Sequence, residues 1–190
     1  MLIGAVDENE VFTASFEGFD CVTYMETVLS LARSSTTDEF IENLQHIRYA
    51  EGVVDWKQRN HYMTTWIRNN KRAGVVSDRT QGPGVIERRR CLRALKGLPE
   101  RTVRVRSIPK RDFIRRQQDV QTGDLIFFAS TRLDRDVFHC GVLIRNDTVR
   151  MRHAPLSLGY VVDQDLAEFF SANRMSGVIV VRPRELDRVG

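Results

Sequence analysis

The pattern of apolar residues changes once along this chain, near residue 100, and that change constrains the fold more than any other feature. Before it, apolar side chains recur at helical spacing and predict helices within residues 21–32, 34–49 and 56–74. After it, short runs rich in Val, Ile and Phe predict strands within residues 102–108, 124–130, 138–145, 148–154, 158–162 and 177–183, with a capped helix at 163–173. Helices followed by strands favour an α+β fold, with N-terminal helices packed on a C-terminal antiparallel β-sheet. We expect one domain over residues 1–190.

Cys21 lies where a Gly-containing turn meets the first predicted helix. Asp20, directly before it, is a favoured N-cap residue. The thiol is therefore expected near the unpaired N–H groups and the positive end of the helix dipole, which lower the pKa of a thiol. A thiolate attacks acyl carbons, so Cys21 is a candidate nucleophile. A buried, inert cysteine is the alternative that this stretch alone leaves open.

A cysteine nucleophile needs a general base, and two of the four histidines lie on successive predicted strands. His139 lies near the start of FHCGVLIR and His153 lies in MRHAPL. If these strands form a hairpin, both imidazoles come near the same end, where one can accept the thiol proton and the other can orient it. Asp134 and Asp136 are alternative orienting residues. Two unrelated strand histidines are the remaining interpretation.

The other two cysteines are predicted to be structural. Cys91 falls in an arginine-rich stretch that is typical of a helix, with no base nearby. Cys140 directly follows His139, and adjacent side chains of a strand point to opposite faces, so it is not expected to share a site with His139. Three widely separated cysteines form no disulfide framework, and no CxxC or HxxxH pair indicates zinc. No cofactor is predicted.

Four short motifs follow one another along the chain: DC at a helix start, TGDLIFF, HCGVLI and RHA. In this order they resemble the NlpC superfamily of papain-like cysteine peptidases and amidases that cut bacterial peptidoglycan. The resemblance implies a papain-like fold in which Cys21 is the nucleophile, His139 the base and His153 the orienting residue. Two features depart from it. Cys140 stands where Val is usual, and the segment ahead of the nucleophile is the short MLIGAVDENEVFTASFEG.

A longer motif, IRYAEGVVDWKQRNHYMTTWIRNN, resembles the branch of N-acetylmuramoyl-L-alanine amidases, as do FDCVTYMETVLSLA and GVIVVRP. The similarity covers roughly residues 15 to 183. It implies hydrolysis of the amide between (anhydro-)N-acetylmuramic acid and L-Ala of the stem peptide. Aromatic faces suit a sugar ring and arginines suit carboxylates. Six residues of this motif are therefore predicted to bind substrate, with surface or capping contacts as the alternative for each: Arg48, Tyr49, Arg59, His61, Tyr62 and Trp66.

Composition limits the partners and the site of action. The net charge is +4, and arginines cluster within residues 87–97 and 101–116, but no aromatic-rich reader motif accompanies them, so no nucleic acid partner is predicted. No apolar run reaches the roughly 20 residues of a membrane span. The stretch MLIGAVDENE has no signal-peptide pattern. A peptidoglycan or muropeptide substrate nevertheless implies periplasmic or secreted action.

Three other functions are compatible with the sequence. The same triad would serve a stem-peptide endopeptidase that cuts the bond from D-Glu to the diamino acid. It would also serve a secreted antibacterial effector toxin, with an immunity or inhibitor protein as partner. A module that binds anionic polymers through the basic surface is the third, and it predicts binding that is indifferent to changes at Cys21 or His139.

Overall fold

A computed structural model describes residues 10–95 and 97–185 of the chain. Residues 1–9, most of the stretch in which no signal peptide was predicted, lie outside the described residues. The helices are α1 (Cys21–Ala32), α2 (Thr37–Arg48), α3 (Met63–Arg72), α4 (Lys110–Arg115) and α5 (Leu166–Ala172). The strands are β1 (Val76–Asp78), β2 (Ile86–Leu92), β3 (Arg101–Ser107), β4 (Leu125–Ala129), β5 (Val137–Arg145), β6 (Val149–His153), β7 (Val162–Asp165) and β8 (Gly177–Pro183).

Six of the strands form one antiparallel sheet in the order β1-β8-β4-β5-β6-β7, and β2 pairs with β3 as a separate two-stranded ribbon. Three helices precede most of the strands, and α5 lies before β8 as predicted. The predicted α+β class with an antiparallel sheet is therefore confirmed. Within the described residues, no helix is long and apolar enough to span a membrane.

Side chains on the two faces of β4 enter two different apolar clusters, as the alternation of a strand requires. Phe127 faces the cluster that contains Met25 of α1 and Trp66 of α3. Phe128 faces the other cluster, which contains Phe169 of α5. The sheet is thus covered on both faces, and α1 is packed against strand β5, which carries the candidate residue His139.

Three predicted elements differ from the structure, two in their boundaries and one in its type. The third helix begins at Met63, because residues 55–62 turn back to the end of α2, where the Asn60 N–H donates to the Arg48 carbonyl at 2.9 Å. The stretch around Cys91, predicted as helical, is the strand β2, and all of its residues pair with β3. The strand predicted at 158–162 lies instead at Val162–Asp165. Short β1 and α4 had no pattern strong enough to predict them.

Candidate active site

Cys21 is the first residue of α1, and the local sequence fixes it there. Asp20 is the N-cap, and its Oδ1 accepts the backbone N–H groups of Val22 at 2.9 Å and Thr23 at 2.8 Å. The Thr23 hydroxyl accepts the Asp20 N–H at 2.9 Å, which completes a capping box. Because the side chain and the backbone N–H of Asp20 are both hydrogen-bonded to the first turn, the Cys21 thiol is held at the positive end of the helix dipole.

Strands β5 and β6 form the predicted hairpin and bring the two histidines into contact. Nε2 of His139 lies 2.7 Å from Nδ1 of His153, and the ring planes are nearly perpendicular, at 82°. Gly141 allows the close approach of the strands, since a Cβ there would lie 2.6 Å from Met151 Cγ and 2.9 Å from the Arg152 carbonyl oxygen. His153 itself is buried at 1% exposure.

The register of β4 against β5 shifts next to His139. Phe128 pairs with His139, but Ala129 pairs with Val137, so Phe138 is an extra residue in β5. Such a bulge increases the local twist of a strand and re-aims its side chains. We attribute to it the contact of His139 with Cys21, which lies on the α1 side of the sheet, while the ring also stacks against Phe169 on the α5 side.

The pKa of the Cys21 thiol is lowered to about 5 by a hydrogen bond with the Cys140 thiol, against the opposing effect of burial, and by a hydrogen bond and charge interaction with His139. Burial, and then the charge of His139, lower the pKa of His153 to about 4. At neutral pH the thiolate is therefore favoured and His153 is neutral. The contact of His139 Nε2 with His153 Nδ1 leaves Nδ1 of His139 as the ring nitrogen for the thiol.

Cys140 contradicts its predicted role as a cysteine outside the site. It does point to the face opposite His139 and enters the cluster next to α1. The N-terminus of α1 lies over that face, so the Cys140 thiol reaches the Cys21 carbonyl at 3.4 Å and the Cys21 thiol. The predicted alternation of strand side chains is present at Cys140, but the bulge beside His139 brings both residues to the cleft in which Cys21 lies. All three residues line one cleft of about 230 Å³.

His61 and Tyr62 line the same cleft. Nδ1 of His61 and the hydroxyl of Tyr62 are buried polar atoms without a hydrogen-bond partner. Nε2 of His61 is within 2.7 Å of the Trp56 carbonyl oxygen, and the His61 ring packs on that indole with centroids 4.0 Å apart. Unsatisfied buried polar groups are uncommon in folded proteins, and at a cleft they are ready to bond to a ligand.

The four other residues predicted to bind substrate lie in a buried network. Arg48 Nε donates to Glu26 Oε2 at 2.8 Å, and the Trp66 indole donates to Glu26 Oε1 at 3.2 Å. Arg59 and Tyr49 both donate to Glu10 Oε1, each at 2.6 Å. The bonds to Glu26 tie α1 to α2 and α3, and the bonds to Glu10 tie the segment before α1 to the end of α2 and the loop after it. Contact of these four side chains with substrate stays a prediction, and the structure does not bring them to the cleft.

The alternative orienting residues Asp134 and Asp136 are engaged elsewhere. Asp134 pairs with the exposed Arg132 at 2.6 Å. Oδ2 of the buried Asp136 accepts both the backbone N–H and the hydroxyl of Thr64, each at 2.7 Å, and thereby ties the start of β5 to α3. Among the described residues, no group of three or more His, Cys, Asp or Glu side chains is placed to hold a metal ion.

Residues 1–178 match the AmiA-like family, described as N-acetylmuramoyl-L-alanine amidase-like, and the chain belongs to that family. Membership in an amidase-like family indicates a hydrolase of amide bonds. No curated protein matches the chain.

Solved structures share the fold. An N-acetylmuramoyl-L-alanine amidase from Bacteroides uniformis is 21% identical, with a TM-score of 0.79, over 96% of this chain and 92% of its own. A putative xylanase from Bacteroides fragilis is 24% identical, with a TM-score of 0.79, over 95% and 93%. A Legionella pneumophila protein is 21% identical, with a TM-score of 0.77, over 89% and 77%. At these identities the likeness establishes the fold.

Proposed function

We propose that this protein is a peptidoglycan amidase with a papain-like cysteine site, in which Cys21 is the nucleophile, His139 the general base and His153 a positioning residue. One observation carries the proposal. Cys21, at the start of α1, and His139 line the same cleft, and Nε2 of His139 lies 2.7 Å from Nδ1 of His153. A nucleophile, a base and an orienting group in this order are the parts that acyl transfer requires.

The reaction follows from the protonation states. The Cys21 thiolate attacks the carbonyl carbon of the lactyl amide and forms a tetrahedral oxyanion. The cap takes up the N–H groups of Val22 and Thr23 and does not use that of Cys21, which is a donor for the oxyanion. The His139 imidazolium then protonates the leaving amine of L-Ala. Water attacks the resulting thioester, with His139 accepting its proton, and releases the muramic acid.

Substrate contacts are proposed for the two predicted residues at the cleft. His61 and Tyr62 line the same cleft as the thiol, and His61 Nδ1 and the Tyr62 hydroxyl lack hydrogen-bond partners in the described protein. Polar groups of a muropeptide would satisfy both atoms. Because such a substrate belongs to the cell wall, the proposed site of action is the periplasm or the outside of the cell.

The test is product analysis of defined muropeptides, with ordinary and 1,6-anhydro muramic acid, by liquid chromatography and mass spectrometry. Wild-type protein is expected to release the intact stem peptide and the peptide-free sugar. The Cys21→Ser variant is expected to lose about 10⁴-fold or more of this activity while keeping its thermal unfolding midpoint. Cys91→Ser is the matched control, because Cys91 lies on the separate ribbon, and it is expected to retain activity.

Other products would decide against the proposal. A shortened stem peptide that depends on Cys21 would assign an endopeptidase with the same triad. Intact stem peptide released equally by a well-folded Cys21→Ser protein would exclude the cysteine mechanism. Absence of any product from muropeptides and from purified sacculi would exclude the peptidoglycan substrate.

A further inference from the structure

We propose that Cys21 and Cys140 form a reversible disulfide, so that the candidate nucleophile carries its own resolving cysteine. The three cysteines of the chain are free thiols. The Cys140 thiol donates to the Cys21 carbonyl oxygen at 3.4 Å, and both side chains line the same cleft. The disulfide would join α1 to β5, two elements that are already packed together.

The two thiols differ in their access to an oxidant. Cys21 is partly exposed and lines an open cleft of about 230 Å³, which is large enough for a small peroxide. Cys140 is 1% exposed and packs among apolar side chains between α1 and the sheet. A peroxide therefore reaches Cys21 first, and the buried Cys140 is the neighbouring thiol that can react with the oxidised sulfur.

The third cysteine is outside this arrangement. Cys91 lies in β2 of the separate ribbon, and its thiol is 3.9 Å from Glu100 Oε2. It therefore provides a matched control: a free thiol of the same protein with no second thiol in contact.

The chemistry needs only hydrogen peroxide as oxidant. The Cys21 thiolate attacks one peroxide oxygen, the O–O bond breaks, and Cys21 sulfenic acid and hydroxide form. Cys140 sulfur then attacks the Cys21 sulfur, the S–O bond breaks, and the hydroxyl leaves as water with the proton of the Cys140 thiol. In total, two thiols and one peroxide give one disulfide and two waters. An external dithiol reverses the change by reducing the bond.

Oxidation of Cys21 to the sulfenic acid weakens two of the interactions that raise the pKa of the Cys140 thiol. In the reduced protein, the hydrogen bond with Cys21, then burial, and then the charge of Cys21 raise the pKa of the Cys140 thiol. A sulfenic acid at Cys21 is uncharged, so the charge effect disappears and the hydrogen bond is no longer to a thiolate. Oxidation of the exposed cysteine thereby favours the thiolate of the buried one.

The test treats purified wild type, Cys140→Val and Cys91→Ser with hydrogen peroxide and follows intact mass, peptide maps and amidase activity. Wild type and Cys91→Ser are expected to lose two hydrogen atoms in mass and to yield a peptide linked between Cys21 and Cys140. Cys140→Val is expected to gain two or three oxygen atoms at Cys21 instead. After treatment with dithiothreitol, the fraction of its own starting activity that wild type regains should exceed that of Cys140→Val by about tenfold.

The mass readout does not require amidase activity, so it stands whether or not the proposed function holds. Sulfinic acid at Cys21 beside an unmodified Cys140 thiol in the wild type would overturn the proposal. So would a disulfide that contains Cys91, or equal recovery of wild type and Cys140→Val.

Discussion

Nε2 of His139 and Nδ1 of His153 are 2.7 Å apart across the β5–β6 hairpin, with the rings at 82° to each other. The contact fixes the orientation of His139 and leaves its Nδ1 as the ring nitrogen for the thiol. The low pKa of His153, about 4, keeps it neutral over the working range. In the proposed mechanism, His153 then stabilises the imidazolium that forms on His139.

The role of His153 can be separated from simple packing by two substitutions. His153→Ala removes the acceptor, and we expect kcat to fall about a hundredfold with KM little changed, because the loss affects the proton transfer step. His153→Asn offers an amide oxygen to His139 Nε2–H and is expected to restore part of kcat. Steady-state kinetics on a muropeptide give both values. Equal loss in the two variants, with matched unfolding midpoints, would leave His153 a purely structural residue.

The low pKa of Cys21 predicts the acidic limb of the pH profile. Hydrogen bonding with Cys140 and His139 lowers this pKa from 9.0 to about 5, despite burial. We expect kcat/KM to rise with pH through about 5, as the thiolate forms in the free enzyme. Thiolate absorbance near 240 nm should rise over the same range in wild type and not in Cys21→Ser. An absorbance change centred near 9 in the folded protein would contradict the ion-pair arrangement.

The same shift predicts a pH-dependent stability. Between about 5 and 9.0 the unfolded chain binds the Cys21 proton and the folded protein does not, so the free energy of unfolding rises with pH over this range. The contribution of the Cys21 pKa shift to the free energy of unfolding is complete above pH 9.0 and is lost as the pH falls through about 5. Urea unfolding of wild type and Cys21→Ser should therefore diverge as pH increases, by on the order of a few kcal/mol. His153 is present in both proteins and cancels in the difference, and parallel pH profiles would contradict the prediction.

Sequence reasoning predicted that Cys21, His139 and His153 lie near one another because each has a local signature. Cys21 follows an N-cap, and the turn between β5 and β6 is short enough to make a hairpin the expected connection. The contact between Cys21 and Cys140 had no such signature. It depends on where α1 packs against β5, and the reach of His139 depends on a one-residue bulge at Phe138, which no periodicity reveals.

The buried arginines have partners that the sequence could not indicate. Arg48 and Arg59 were predicted to bind carboxylates, and each does bind one, but it belongs to this chain. Glu26 is 22 residues from Arg48, and Glu10 is 49 residues from Arg59. A single sequence carries no information on such distant pairs, so an arginine that neutralises a buried glutamate is indistinguishable from one that awaits a ligand.

The unpartnered hydroxyl of Tyr62 predicts a change in binding without a loss of stability. In the free protein this buried group has no hydrogen bond, so Tyr62→Phe removes nothing that stabilises the fold. The ring keeps its contact with Arg101, whose guanidinium lies 5.6 Å from the centroid. We expect KM for muropeptides to rise about three- to tenfold, the value of one hydrogen bond, with the unfolding midpoint unchanged or slightly higher. An unchanged KM would remove Tyr62 from the proposed binding residues.

The ion pair between Glu26 and Arg48 is expected to be structural, and its removal tests this against the predicted role in substrate binding. Burial raises the pKa of Glu26, and Arg48 opposes that rise. Glu26→Gln leaves Arg48 as a buried charge without its counter-ion, so we expect a loss of about 3–5 kcal/mol in the free energy of unfolding. Replacing both residues, as in Glu26→Gln with Arg48→Met, should recover part of the loss, because no charge then remains buried at the site.

The control for this pair is the exposed pair of Arg104 and Glu87 on the ribbon, 3.5 Å apart. Glu87→Gln is expected to change the free energy of unfolding by about 1 kcal/mol or less, since water already solvates both groups. Urea unfolding and muropeptide kinetics of the same variants distinguish the two roles of Arg48. A structural role predicts that Arg48→Met lowers stability and leaves the KM of the folded fraction unchanged. A raised KM at full stability would instead assign Arg48 to substrate binding, which would require the network around Glu26 to open when substrate enters.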